Sequence, residues 1–223
     1  MSENVDTKAL LRLMAWLSPA FPIGGFAYSG GLERAVHDGL VRDAAGLGGW
    51  LSSLLRHGSL WNDAVLFAEA WRRSGDEAGL KDTAELGLAL AGSAERHTET
   101  LALGKAFAVA ASAWPHPVLD RLPAAVPFPV AVGAVAAAHG VAPASALAAY
   151  LHAAVSQSVS AAIRLGVSGQ ADGVAVLAGL EAPIIETSER ASLATLDELG
   201  GAAVQAEIAS LRHETQHSRL FRS

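Results

Sequence analysis

Five residues near the C-terminal end, His213-Glu214-Thr215-Gln216-His217, have the types and spacing of a zinc-hydrolase helix. On a helix, histidines four apart share a face and can grip one ion, and Glu214 could take a proton from metal-bound water. Only six residues follow His217, so a downstream third ligand has no chain to occupy, and no spacing upstream singles one out. The string is therefore read as the polar, partly exposed end of a last helix. His213 and His217 are then at most a pair for transient divalent binding, with no resident metal.

Other chemistry falls away quickly. Gly104-Lys105 is the only Gly-Lys pair and is followed by Ala106, so no phosphate-cradling loop is present. Ser29, in Tyr28-Ser29-Gly30-Gly31, lacks the frame of a nucleophile elbow. The chain has no cysteine, which removes disulfides, thiolate zinc sites and thiol nucleophiles. A net charge of -6 leaves no cationic excess to neutralise phosphates, so nucleic acid is not an expected partner. No catalytic residue is assigned.

Three segments look built for contact rather than for packing. Ser18 to Glu33 carries Pro19 and Pro22, then Gly24, Gly25, Gly30 and Gly31, which fix a loop bearing Phe21, Phe26 and Tyr28. Rigid loop aromatics often form contact surfaces. Ala162 to Gly173 holds Arg164, the lone charge ending a long apolar helix, and a turn with Gly169, Gln170, Asp172 and Gly173. The end, Ser218-Arg219-Leu220-Phe221-Arg222-Ser223, is too apolar for a fraying terminus.

The elements that position these segments are helical. With 51% apolar and 17% charged residues, 223 residues make one well-filled domain. Leu10, Leu13, Met14 and Leu17 form a stripe behind Asp6, a candidate cap. Leu47, Leu51, Leu54 and Leu55 form another, followed by Trp61, Val65 and Ala68. Leu86, Leu90, Ala94, His97, Leu101 and Ala108 predict one long middle helix with His97 on its core face. Leu147, Leu151, Val155, Ala162 and Leu165 predict a central helix apolar all round. Val204, Ile208 and Leu211 mark the last helix. The one strand candidate is Val130 to Val135. Trp114 to Pro129 reads as a proline-rich connector. The expectation is a single all-α domain, helical-bundle-like, of roughly ten helices over residues 1–223. The acidic start from Met1 to Asp6 has no secretory pattern, and the uncharged Ala142–Ile163 stretch holds His152 and Gln157. A cytoplasmic protein with no membrane span is therefore expected.

The segments resemble the urease accessory protein UreF family. The resemblance is carried by Leu17-Ser18-Pro19 with Pro22-Ile23-Gly24-Gly25-Phe26-Ala27-Tyr28-Ser29 and Gly31-Leu32-Glu33. Glu95-Arg96-His97-Thr98-Glu99-Thr100 with Leu103-Gly104 is similar to its middle-helix signature. Ala162-Ile163-Arg164-Leu165 with Gly169-Gln170-Ala171-Asp172-Gly173 and Arg212 to Gln216 with Ser218 to Ser223 are similar to its late and tail signatures. Two positions depart from it: Gly166-Val167-Ser168 replaces a common proline-leucine turn, and His217 replaces a common aromatic.

The resemblance implies an all-α, non-enzymatic chaperone of urease maturation, forming a homodimer. It implies binding to UreD (UreH in some bacteria), recruitment of the GTPase UreG and action on urease apoprotein. Nickel would be handled by the complex, with no firmly bound cofactor. Partner contacts are expected at Tyr28, Glu33, Arg164, Arg219, Leu220 and Phe221. The loops that shape them would use Pro22, Gly24, Gly25, Gly31, Gly169, Gln170, Asp172 and Gly173. Residues 218–223 are expected to be a flexible docking tail that orders on UreD, with Arg219 reaching the Tyr28 loop.

Overall fold

A computed structural model describes residues 7–223, and Asp6 lies outside them. Twelve α-helices and two 3-10 turns account for the regular structure, with no strand among the described residues. The helices are α1 (Thr7–Trp16), α2 (Leu32–His37), α3 (Ala44–His57), α4 (Ser59–Arg72), α5 (Glu77–Ala89), α6 (Ala94–Ala111), α7 (Val118–Arg121), α8 (Phe128–Ala138), α9 (Pro143–Arg164), α10 (Gln170–Gly179), α11 (Glu181–Leu193) and α12 (Val204–His213). The surplus over ten comes from short pieces: the six-residue α2, which begins at the end of the segment read as a loop, and the four-residue α7, inside the proline-rich connector.

Caps explain several boundaries. Asp43 and Asp76 accept the amides of Gly46 and Gly79 and start α3 and α5. Ser93 accepts the Arg96 amide at 3.1 Å and starts α6. That cap divides the expected long middle helix, and the new phase turns His97 outward. The buried face of α6 is instead Glu99, Thr100, Leu103, Gly104, Phe107 and Ala111. The strand candidate lies within α8, which is buried along most of its length and packs against α4, α6 and α9.

Close approach makes these crossings possible. A Cβ on Gly133 would strike the Phe67 carbonyl of α4, and one on Gly104 would strike the backbone at Val126. The core is filled by Leu47, Leu51 and Leu55 of α3, Trp61 to Phe67 of α4, Val130 to Val135 of α8, and Leu147, Leu151 and Val155 of α9. The α9 helix is long and apolar enough to cross a membrane by length and composition. Here its core stripe packs against α11, α4, α10 and α8.

One apolar stripe faces the core only in part, and another does not face it. In α1 the inward residues are Ala9, Leu13 and Trp16, while Leu10 and Met14 are exposed. In α12 the inward residues are Ala209 and His213, while Val204, Ile208 and Leu211 are exposed.

Candidate functional site

The glycine-rich loop is fixed from below and behind. Gly24, Gly30 and Gly31 adopt positive φ of 75°, 61° and 81°, which a side chain would resist. Gly31 also abuts α12, since a Cβ there would lie 2.9 Å from the Ser210 nitrogen. Gln157 of α9 donates to the Gly25 carbonyl at 2.6 Å. Phe21 packs inward against Phe107 and Trp114, with centroids at 5.6 and 6.2 Å. Tyr28 is buried, so of the three loop aromatics only Phe26, at 74% exposure, faces solvent.

The tail is seated on this loop. The Arg222 amide donates to the Ala27 carbonyl at 2.8 Å, and the Ser29 amide donates to the Ser223 carbonyl at 2.9 Å. The Ser29 hydroxyl also donates to that carbonyl. The Ser223 hydroxyl donates to Glu99 at 3.0 Å and accepts from the Gly30 amide at 3.2 Å. Phe221 is only 4% exposed, and the Arg164 guanidinium lies 4.3 Å from its ring centroid. Arg164 itself donates to the Phe26 carbonyl at 2.6 Å. Leu220 is left half-exposed at 54%.

Glu33 lies beneath the tail. One oxygen accepts the Leu220 amide at 2.7 Å and the other the Phe221 amide at 2.9 Å. The second oxygen also faces His213 Nε2 at 3.2 Å. On its other side, His213 Nδ1 faces Glu95 Oε2 at 2.7 Å. The remaining Glu95 oxygen accepts from Arg219 at 2.5 Å. Burial pushes the Glu33 carboxyl up, but the two tail amides and His213 together hold it below the ordinary glutamate value.

A second polar group continues inward. Arg96 of α6 donates to Asp63 of α4 at 2.5 Å and lies 3.4 Å from Glu99. Tyr150 of α9 donates to Asp63 at 3.2 Å. Desolvation works against the Arg96 cation, yet Asp63 and Glu99 outweigh it and hold the guanidinium charged. Desolvation pushes Glu99 up against the pull of Arg96. Tyr150 is pushed up by burial and by Asp63. The tail, loop, α2, α6, α12, α4 and α9 thus meet in one connected polar network.

Comparison with known proteins identifies the family. The UreF family model matches residues 41–181. The chain is 67% identical to the urease accessory protein UreF of Agrobacterium fabrum (strain C58), over all of both chains. It is 64% identical to that of Rhizobium etli and 56% identical to that of Mesorhizobium japonicum, again over full length. The chain belongs to the UreF family. The family-model match stops short of both the Tyr28 loop and the tail, but the full-length relatives span them.

The expected contact residues of this UreF-family chain occupy different places. Arg164, Arg219 and Leu220 are exposed, whereas Tyr28, Glu33 and Phe221 are buried. Glu33 is engaged in holding the tail. The tail, expected to be a flexible docking segment that orders on UreD, here lies on the loop, where Glu33, Ser29 and Ala27 take its backbone groups. Arg219, expected to reach the Tyr28 loop when UreD binds, pairs with Glu95 in the chain alone. The glycine that turns the chain after α9 is Gly166, with φ of 76°. Gly169 precedes α10, while Gln170, Asp172 and Gly173 are helical within it, Gly173 packing against Val159 and Ile163.

The H-E-x-x-H reading fails on geometry. Helix α12 ends at His213, so His217 does not share its helical face. His213 is not a partly exposed terminus but fully buried, with both ring nitrogens facing carboxylates. Glu214 accepts the Ala94 amide at 2.7 Å and supports the positive start of α6. Among the described residues, no three His, Asp or Glu side chains are arranged to hold a metal ion.

Sequence reasoning missed Glu95, Arg96, Glu99, Asp63 and Ser29 as site residues. The available signal was the four-residue spacing of Glu95 and Glu99, which puts two carboxylates on one face of α6.

Proposed function

We propose that this chain is a non-catalytic scaffold of urease maturation. It binds UreD (or UreH), recruits the GTPase UreG and supports nickel insertion into urease apoprotein, as a homodimer in the cytoplasm. Nickel is cargo of the assembly rather than a resident ion of this chain. Family membership supports the urease role. The observation that carries the contact surface is Phe26 and Leu220, two large apolar side chains held in the open by a hydrogen-bonded loop and tail. Arg164 and Arg219 stand beside them. Preorganised apolar anchors with a charged rim are what a partner surface needs.

The test is capture from cells expressing the whole urease operon, with tagged wild type or the Phe26→Asp, Leu220→Asp double variant. The expected result is loss of the accessory proteins and of urease activation, with helicity and melting temperature unchanged. Full capture and activation by the double variant would overturn the assignment of this surface.

A further inference from the structure

The buried His213 is a group that the scaffold reading leaves without a job. Its ring has no solvent exposure, and it sits between two carboxylates from different helices, Glu33 of α2 and Glu95 of α6. Each carboxylate has a second task at the tail. Glu33 takes the Leu220 and Phe221 amides, and Glu95 takes Arg219. A neutral imidazole has one N–H and one lone pair, so both contacts are hydrogen bonds only when the ring is doubly protonated.

We propose that His213 is the positioning residue of a tail latch: its two ring nitrogens fix Glu33 and Glu95, and those carboxylates hold residues 219–221. This deepens the scaffold reading, on which its relevance to partners rests, by giving the loop–tail surface an internal support. The closed latch buries Phe221 and presents Leu220, while an open latch would free both.

The groups around the ring are few. Glu33 faces it from α2, Glu95 from α6, and Arg219 of the tail reaches it through Glu95. On its own helix Arg212 turns away to Asp38, which also meets Arg34 and His37. The neighbouring Glu214 is turned to the α6 amide of Ala94. Thus, among the described residues, the one group facing both tail-binding carboxylates at once is His213.

The test needs no partner, so its failure is separate from failure of the capture experiment. Amide hydrogen exchange is measured on the full chain, wild type and variant, at one pH. Leu220 and Phe221 report the latch, and Phe67, in the core, reports global opening. His213→Phe keeps an aromatic ring without donors and should lower tail protection relative to Phe67 by roughly ten- to a hundredfold, the scale of one charge-assisted hydrogen bond. Wild-type tail protection in a folded His213→Phe chain would overturn the proposal. If that variant does not fold, Glu95→Gln, which removes the charge that His213 and Arg219 share, should lower tail protection in the same way, and unchanged protection there would overturn the proposal.

Discussion

Replacing Arg96 by methionine tests whether the inner polar group holds the fold or merely decorates it. Methionine fills the volume of the arginine stem and removes the charge. Two carboxylates are then left buried, Asp63 and Glu99, with side-chain exposures of 12% and 8%. Tyr150 can still donate to Asp63, but one hydroxyl does not replace a cation. Breaking a buried pair from one side costs about 3–5 kcal/mol, because the other charge is stranded. At this chain length each kcal/mol moves the melting temperature by about 2–4 °C, so the expected drop is about 10 °C.

The pH dependence separates this from simple loss of packing. Burial already raises the Glu99 pKa in the native protein, and Arg96 is the largest opposing influence. Without Arg96 the pKa rises further. A carboxyl raised in the folded state contributes stability below its unfolded value, 4.5 for glutamate, and loses it as pH rises through the folded value. The deficit of Arg96→Met relative to wild type should therefore be largest near pH 7 and shrink toward pH 5. Thermal melts followed by circular dichroism at both pH values make the measurement. A deficit under about 1 kcal/mol at pH 7, against the 3–5 expected for a stranded charge, or one identical at both pH values, would refute the reasoning.

Two further outcomes concern the core and one histidine. Gly133→Ala places a methyl group against the Phe67 carbonyl and should destabilise by about 2 kcal/mol. Gly49→Ala, in α3 with open space around it, should stabilise slightly through helix propensity. Equal melting temperatures for the two would contradict the close α4–α8 crossing. His139 is held below its ordinary value by burial first and then by Arg12, His116 and Lys8. With a depressed folded value, the unfolded chain takes up the proton first, so stability should fall as pH drops below the unfolded value of 6.5. His139→Phe should flatten that part of the stability–pH profile, and an unchanged slope would assign it elsewhere.

Helix content and the central elements were legible because they obey periodic burial. Leu47, Leu51 and Leu55 recur at helical spacing and are all buried, as are Leu147, Leu151 and Val155. The glycine-rich loop was also legible, from its prolines and glycines, whereas its meeting with the tail was implied only by the family resemblance. The failures have a common cause. Apolar stripes mark an inward face only if every apolar face is covered, and Leu10, Met14, Val204 and Ile208 are exposed. The α6 phase was misread because its inward face carries Glu99 and Thr100, which pattern reading counts as outward.

Those polar inward residues are intelligible only in three dimensions. Glu33 meets His213 across 180 positions of chain and Leu220 across 187, and Arg219 meets Glu95 across 124. Spacing along one helix cannot encode such pairs, since a carboxylate bound for a buried amide looks like any surface glutamate until its partner arrives. Burying Glu33 unpaired would be costly. Its two backbone donors come from the tail, so the site and the seating of the tail are one structural event. An isolated chain lacking residues 218–223 would leave Glu33 facing His213 alone, and Ser29 without its Ser223 acceptor. The tail is therefore part of what completes the polar interior at this end of the helical domain, and its outward residue, Leu220, is held in place through its amide by the largely buried Glu33 carboxylate.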